Sequence, residues 1–158
     1  MKSDPKQALL LLAGRLREED TPISPHVVDP DELPVFGLLA ALGPGAAPAP
    51  GEYALVVEAV REGYLLHHGE SRLLRGHDAD LALLAGDYLY ALGIERLAAL
   101  GDAGAVAVLA ELIGSCAQLH AEGREDEVPE LWRACASAIG GEDHGDRKPA
   151  RVNRLHTS

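Results

Sequence analysis

The sequence predicts an all-α protein, an antiparallel bundle of five or six helices, from three observations. Apolar residues recur at the three- and four-residue spacing of a buried helix face along much of the 158-residue chain. No alternating run bounded by hairpin turns occurs, which argues against a sheet. Hydrophobic residues make up 47% of the chain but aromatic residues only 4%. Such a core of leucine, alanine and valine favours packed helices, and the length predicts one domain over residues 1–140.

Prolines and glycines set the predicted boundaries in the first half. Asp4-Pro5 places a capping residue before a proline in the first turn, which is a helix start signal. Clusters of proline and glycine interrupt helices. The resulting order is a helix from Asp4 to about residue 19, an extended connection over 21–33, a short helix over 34–42, a glycine- and proline-rich loop over 43–51, and a helix over 52–68.

The second half continues the alternation of helices and breaks. Its predicted order is a polar break over 69–76, a helix over 79–100, a tight turn at 101–104, a helix to about residue 120, a charged turn over 122–127, and a last helix ending at Gly140-Gly141. Residues 141–158 are predicted to be a disordered tail.

The predicted helix over 79–100 contains the apolar stretch LALLAGDYLYALGI with a single charge, Asp87. Its composition indicates a helix buried almost all round. An unpaired buried charge is costly. We therefore expect Asp87 to be a buried carboxylate held by Arg61, Arg72 or Arg75; the alternative is a polar contact in a ligand cavity.

Charge and cysteine content exclude several classes of function. The formal net charge is −11, and nucleic-acid binding requires clustered Lys and Arg. Basic residues gather only in the tail, at Arg147, Lys148, Arg151 and Arg154, which we interpret as solvated. No apolar run reaches the roughly 20 residues of a membrane span. Two isolated cysteines, Cys116 and Cys135, are expected to be free buried thiols. These features predict a cytoplasmic protein with no nucleic-acid partner and no membrane span.

One polar cluster follows the helix over 52–68, and it consists of His67, His68, Glu70, Arg72, Arg75 and His77. His67 and Glu70 are three residues apart, a spacing at which both could face a metal on one helix. However, Gly69 interrupts the helix between them, and no Glu-x-x-His pair occurs in the chain. We favour a solvated helix end and predict neither a metal site nor a catalytic residue.

Several segments resemble trans-polyprenyl diphosphate synthases. Residues 84–89 read LAGDYL and are followed by IERLA at 94–98, similar to a conserved helix of that family. VEAVREGYLLH at 57–67 resembles the helix that leads to the family's first Asp-rich motif, and LRGH at 74–77 resembles its RRG loop. With the segment at 113–123, the resemblance extends over about residues 36–140, and it implies part of an isoprenoid-synthase bundle.

The resemblance also implies a loss of the family's chemistry. The family binds its allylic diphosphate through Mg²⁺ held by an Asp-Asp-x-x-Asp motif, because Mg²⁺ requires hard oxygen ligands. This chain has His68, Gly69 and Arg72 at that place. The resemblance therefore implies a non-catalytic accessory or regulatory subunit without a cofactor. It would pair with itself or with a catalytic prenyl-synthase-like subunit, or bind an apolar isoprenoid, and its implied ligand or interface residues are Tyr64, Leu84, Asp87, Tyr88 and Leu92.

Two alternatives remain open from the sequence. The first is a residual Mg²⁺-dependent prenyltransferase, or a diphosphate lyase, that would use Glu58, Glu62, Glu70 and Asp87. The second is a helical metal-binding bundle that would use His67, His68, Glu70 and His77.

Overall fold

A computed structural model describes residues 3–141, and its regular secondary structure is helical. Within this range the one β-type pairing is an isolated bridge between Val27 and Leu74, so the predicted all-α class is confirmed. The predicted tail lies outside the described residues from position 142 onward. The six helices are α1 (Ala8–Glu18), α2 (Val35–Ala41), α3 (Pro50–His68), α4 (Ala79–Ala99), α5 (Ala103–Ala121) and α6 (Val128–Gly140).

Short polar side chains begin three of the helical segments. Asp4 accepts the Lys6 N–H at 3.0 Å and starts a 3₁₀ turn that continues into α1. Asp78 accepts the Leu81 N–H at 2.8 Å, which caps α4. Asp102 caps α5 through the Ala105 N–H at 3.1 Å. Each cap supplies an acceptor for an amide that has no partner within its helix.

Helix α3 lies at the centre of the packing and contacts α1, α2 and α4. Its side chains contribute to two separate apolar clusters. One cluster contains Val57, Val60 and Tyr64 of α3 together with residues of α5 and α6, including Trp132. The other joins α3 to α1, α4 and the chain segment after α3. This position makes α3 the helix on which most interior side chains converge.

Two glycines of α4 allow it to approach α3 closely. A Cβ at Gly93 would lie 2.6 Å from the Val60 Cγ2 and 3.2 Å from the Val56 carbonyl oxygen. A Cβ at Gly86 would lie 2.4 Å from the His67 ring. Both distances are shorter than a van der Waals contact, so the α3–α4 packing depends on the missing side chains.

The prediction that α4 is buried almost all round is wrong. Its buried positions, including Ala85, Gly86, Leu89 and Leu92, face the neighbouring helices. Leu83 and Leu84 are 54% and 55% exposed. The apolar composition of α4 has two causes: small residues where it touches α3, and leucines that no described residue covers.

The predicted polar break at 69–76 is instead a partly buried segment. Leu73 and Leu74 are fully buried and join the cluster around α1. The Val28 N–H donates to the Leu73 carbonyl at 2.8 Å, and the Arg75 N–H donates to the His26 carbonyl at 2.9 Å. The segment therefore folds back along the bundle, because its two leucines belong to the core.

Helix α5 is the one helix of the described range that is long and apolar enough to cross a membrane. Of its 18 most apolar consecutive residues, 39% are buried within the fold. A helix in the core of a soluble protein meets the same criterion of length and composition. Its buried side packs against α6, and both cysteines of this helix pair, Cys116 and Cys135, are free and buried, as predicted.

Candidate functional site

The most polar part of the interior is a network of Glu58, Glu62 and Arg72. Both glutamates are completely buried, and the Arg72 side chain is 8% exposed. The Arg72 Nη1 lies 2.6 Å from a Glu58 oxygen, and its Nε lies 2.9 Å from a Glu62 oxygen. Burial acts to lower the pKa of Arg72, but the two carboxylates outweigh it and raise that pKa above its usual value.

Backbone amides complete the coordination of the two glutamates. Glu58 accepts the Gly37 N–H at 2.7 Å, which ties α2 to α3. Glu62 accepts the Ser71 hydroxyl and the N–H groups of Arg72 and Leu73, at 3.0 and 3.3 Å for the two amides. Buried charges require such partners. The network therefore holds the 69–76 segment against α3.

One donor of this network has no acceptor among the described residues. The Arg72 Nη2 is buried and makes no hydrogen bond. A buried donor without a partner costs about 1–3 kcal/mol, and such groups are rare in native proteins. An acceptor from outside the chain would remove this cost.

A second guanidinium, that of Arg61, lies among three aromatic rings. Its central carbon is 5.0 Å from the Phe36 ring centre, 5.2 Å from that of Tyr64 and 5.1 Å from that of Trp132. These are cation–π distances. Burial lowers the pKa of Arg61, and the nearby positive charge of Arg72 lowers it further. Within residues 3–141, no acceptor receives a hydrogen bond from this guanidinium.

A group of histidines lies where α3 and α5 end. The His68 and His120 rings stack with centres 4.1 Å apart, and the Tyr64 hydroxyl is 2.8 Å from the His120 Nε2. Burial lowers the pKa of His68, and the neighbouring His120 and His67 lower it further. His67 points the other way, with its Nε2 3.3 Å from an Asp87 oxygen.

The expectation that Asp87 is a buried carboxylate held by an arginine is wrong. Its side chain is 75% exposed, and its ionic partner is His67. The reason is that Asp87 follows Gly86 on α4 and projects beside the α3 contact instead of into it. The carboxylates that do require an arginine are Glu58 and Glu62, and Arg72 supplies it.

The five ligand or interface candidates do not form one site. Tyr64 and Leu92 are buried in different apolar clusters. Leu84 and Asp87 are exposed on α4. The Tyr88 hydroxyl donates to a Glu19 carboxylate and accepts from the Arg15 Nε at 3.4 Å. Tyr88 therefore links α4 to the end of α1.

The polar cluster is also divided by the fold. Arg72 is buried, whereas His68 and Glu70 are exposed. Arg75 donates to the carbonyls of Ser71 and Leu74 at 2.6 and 2.9 Å and stabilises the turn of the segment. The His77 Nδ1 is buried without a hydrogen bond. The prediction of a solvated helix end is therefore wrong for Arg72.

The described residues contain no group of three or more His, Cys, Asp or Glu side chains placed to hold a metal ion. His67, His68, Glu70 and His77, proposed for a metal-binding bundle, are not brought together in such a group. Two of the glutamates proposed for residual Mg²⁺ chemistry, Glu58 and Glu62, already bind Arg72.

The feature that the sequence interpretation missed is a cleft lined by both arginines. We call it the Arg61 cleft. Its volume is about 260 Å³, and its walls come from the chain before and within α2, from α3 and from the 69–76 segment: Glu32, Leu33, Val35, Phe36, Arg61, Leu65, Glu70 and Arg72. The four-residue spacing of Glu58 and Glu62 on an apolar helix was a signal for buried charge, but nothing local indicated the partner.

Comparison with family models, with curated proteins and with solved structures found no match to this chain.

Proposed function

We propose that this chain is a non-catalytic accessory subunit that binds a helical partner chain, a catalytic prenyl-synthase-like subunit, through the outer side of α4. The observation that carries the proposal is the exposure of Leu83 and Leu84, at 54% and 55%. They lie on the helix that carries the family resemblance. Adjacent exposed leucines on one helix are typical of a surface that is covered in an assembly.

The outer side of α5 supports the same proposal. Five of its exposed positions recur at three- and four-residue spacing and are small and uncharged: Ala103, Ala107, Ala110, Gly114 and Ala117. A helix that faced only water would normally carry charged side chains on that side. Small residues let the axis of a second helix come close, so α5 is suited to extend a contact that begins on α4.

Charge favours a different chain over a second copy of this one. The exposed leucines lie between Asp80 and Asp87, both of which are exposed, and the whole chain carries a net charge of −11. Self-association would bring acidic surfaces together, whereas a partner with Lys or Arg beside an apolar helix face would complement them. We therefore assign the surface to a partner of that chemistry.

The interior supports a non-catalytic role. Glu58 and Glu62 are completely buried, and both already form ion pairs with Arg72. To bind Mg²⁺ they would have to lose this guanidinium and leave it buried without a counter-charge. The structure uses these carboxylates to hold the 69–76 segment in place.

The test combines the purified chain with the catalytic polyprenyl diphosphate synthase subunit of the same organism and measures mass by size-exclusion chromatography with light scattering. We expect a complex with the wild-type chain. The double substitution Leu83→Glu with Leu84→Glu should weaken it at least about tenfold, because each buried leucine contributes about 1.5–3 kcal/mol. The matched control is Leu33→Glu with Leu42→Glu, which changes two leucines that are 68% and 84% exposed elsewhere.

Results of two kinds would overturn the proposal. The first is a wild-type chain that remains monomeric beside the synthase, or a Leu83–Leu84 double variant that binds as well as the control. The second is release of pyrophosphate by the chain alone when it is incubated with an allylic diphosphate and Mg²⁺, because this would establish catalysis.

A further inference from the structure

The Arg61 cleft contains hydrogen-bond donors that the chain itself does not use. Arg61 and Arg72 both line it. The Arg72 residue is 9% exposed, and its Nη2 is buried without a hydrogen-bond partner. The Arg61 guanidinium likewise has no acceptor within residues 3–141. A buried guanidinium nitrogen without a partner, beside a second guanidinium that lies on aromatic rings, points to an acceptor from outside the chain, and carboxylates are among the acceptors that guanidinium groups bind best.

The aromatic rings hold Arg61 at this place before any ligand arrives. Phe36, Tyr64 and Trp132 surround its guanidinium at 5.0 to 5.2 Å. Stacking on rings restricts a long side chain but satisfies none of its N–H groups with a strong acceptor. An arginine that is already held in place loses less conformational entropy when it binds a ligand than a freely rotating arginine does.

The acidic side chains near the cleft do not fill this role. Glu32 and Glu70 line it and are exposed, yet neither accepts a hydrogen bond or forms an ion pair with an arginine of the cleft. Their negative charges at the rim oppose a ligand with several charges. Behind the cleft, the two guanidiniums balance the two carboxylates of Glu58 and Glu62. The four carboxylates therefore exceed the two guanidiniums by two charges, so an anion must be held by direct contacts with Arg61 and Arg72, and one with several charges is repelled more strongly than a monocarboxylate.

The remaining walls of the cleft are apolar. Leu33, Val35, Phe36 and Leu65 complete the lining, and Leu33 and Val35 are 68% and 61% exposed. A hydrocarbon chain that extends from a carboxylate bound at the arginines would cover these apolar side chains. The volume of about 260 Å³ lies below the roughly 300–1,000 Å³ of pockets for drug-sized ligands, so the ligand is small.

We propose that the Arg61 cleft binds a small organic monocarboxylate, whose carboxylate accepts hydrogen bonds from Arg61 and Arg72 and whose short apolar chain packs on Leu33, Val35 and Phe36. This site is independent of the proposed partner surface, because no residue of α4 or α5 lines it. Either proposal can fail without the other.

The test titrates the full chain with sodium hexanoate and follows the fluorescence of Trp132, the single tryptophan of the chain, which lies 5.1 Å from the Arg61 guanidinium. We expect saturable binding with a dissociation constant of the order of millimolar. Hexylammonium, which has the same chain with a positive charge, should not bind. Inorganic phosphate, which has negative charge without a chain, should bind at least about tenfold more weakly.

Variants at the mouth of the cleft give a charge-dependent readout without disturbing the core. Val35→Glu and Val35→Lys both remove the apolar contact at this position and differ in the sign of the charge at the cleft, so the lysine variant should bind hexanoate severalfold more tightly than the glutamate variant. Leu42→Glu and Leu42→Lys, at an exposed residue outside the cleft, are the matched controls. Arg61→Gln should weaken binding about tenfold or more, since it removes a charged donor.

Three outcomes would overturn the site: no saturable response to hexanoate, equal binding by the Arg61→Gln variant and the wild type, or Val35 variants that behave like the Leu42 controls. Phosphate binding as tight as that of hexanoate would overturn the assignment of an apolar chain. Circular dichroism of each variant establishes that a lost response reflects binding and not unfolding.

Discussion

Replacing Arg72 with methionine tests whether the buried network holds the fold together. The substitution keeps an unbranched side chain of similar length but removes the guanidinium that contacts Glu58 and Glu62 at 2.6 and 2.9 Å. Both glutamates are completely buried. Removing one partner of a buried ion pair typically costs about 3–5 kcal/mol. Since small domains unfold at about 5–15 kcal/mol, Arg72→Met should remove a large part of the stability.

The two glutamates should differ in how strongly they depend on Arg72. Without it, Glu62 keeps the Ser71 hydroxyl and two backbone N–H groups as donors. Glu58 keeps only the Gly37 N–H among the hydrogen bonds of this network. Glu58 is therefore the more poorly compensated charge. Adding Glu58→Gln to Arg72→Met should recover more stability than adding Glu62→Gln.

The assay is urea unfolding at pH 7, followed by Trp132 fluorescence and by circular dichroism. Arg96→Met is the matched control, because Arg96 also pairs with a glutamate of α3, Glu52, at 2.6 Å. That pair is partly exposed, with side chains 34% and 24% accessible. Its loss should cost about 0–1 kcal/mol.

A loss in Arg72→Met as small as that in Arg96→Met would refute the argument. It would mean that the glutamates find other compensation and that the 69–76 segment does not depend on the network. A larger recovery by Glu62→Gln than by Glu58→Gln would refute the ranking of the two carboxylates, even if the total loss is large.

Three further predictions follow from individual contacts. Gly93→Ala should destabilise the chain by about 1–3 kcal/mol, because the added Cβ would lie 2.6 Å from Val60. Gly114→Ala should stabilise the chain by about 0.5–1 kcal/mol, because no atom lies within 4 Å of the added Cβ. Equal effects of the two substitutions in urea unfolding would contradict this prediction. The pKa of His68 is lowered, so the unfolded state takes up its proton first as the pH falls through about 6.5. Wild-type stability should therefore decrease below that pH relative to His68→Asn, and a constant difference across the pH series would count against it. Burial raises the pKa of Cys116 to about 11 and that of Cys135 to about 12. Both thiols should react slowly with iodoacetamide at pH 8 unless urea is added, and stability should fall as the pH rises from about 9 toward 11; fast alkylation of the native chain by mass spectrometry would show that the thiols are accessible.

Helix positions could be predicted from the sequence because their signals are local. Asp4 and Asp78 cap their segments through amides two and three residues away, and prolines and glycines mark the breaks. The burial of α4 could not be predicted in the same way. An apolar helix surrounded by its own chain and an apolar helix with one uncovered side have the same composition. Leu83 and Leu84 differ from Leu89 only in what lies opposite them.

The candidate site is formed by residues that are distant in sequence, so local sequence patterns predict its individual residues but not the contacts between them. Two glutamates four residues apart on an apolar helix predict a buried positive partner. The partner could not be identified, because Arg72 reaches them only when the chain folds back after α3. Arg61 meets Phe36 and Trp132 from two other helices. The polar composition of residues 69–76 predicted exposure to solvent, whereas the burial of Leu73 and Leu74 determines where this segment lies.

The residues that carry the family resemblance separate into two groups when their contacts are considered. Gly86 has a reason within this fold, because a side chain there would collide with the His67 ring. Ala85 and Leu89 also have one, because both are fully buried. Leu84 has no such reason, because it is 55% exposed, and Asp87 has only a weak one, because its carboxylate is 75% exposed although it pairs with His67. Packing can account for the first group in any helical bundle, so only the second group bears on a shared partner. Substitution of Leu83 and Leu84 therefore tests the relationship more directly than substitution of the buried LAGDYL residues, whose loss would destabilise the fold whatever the chain binds.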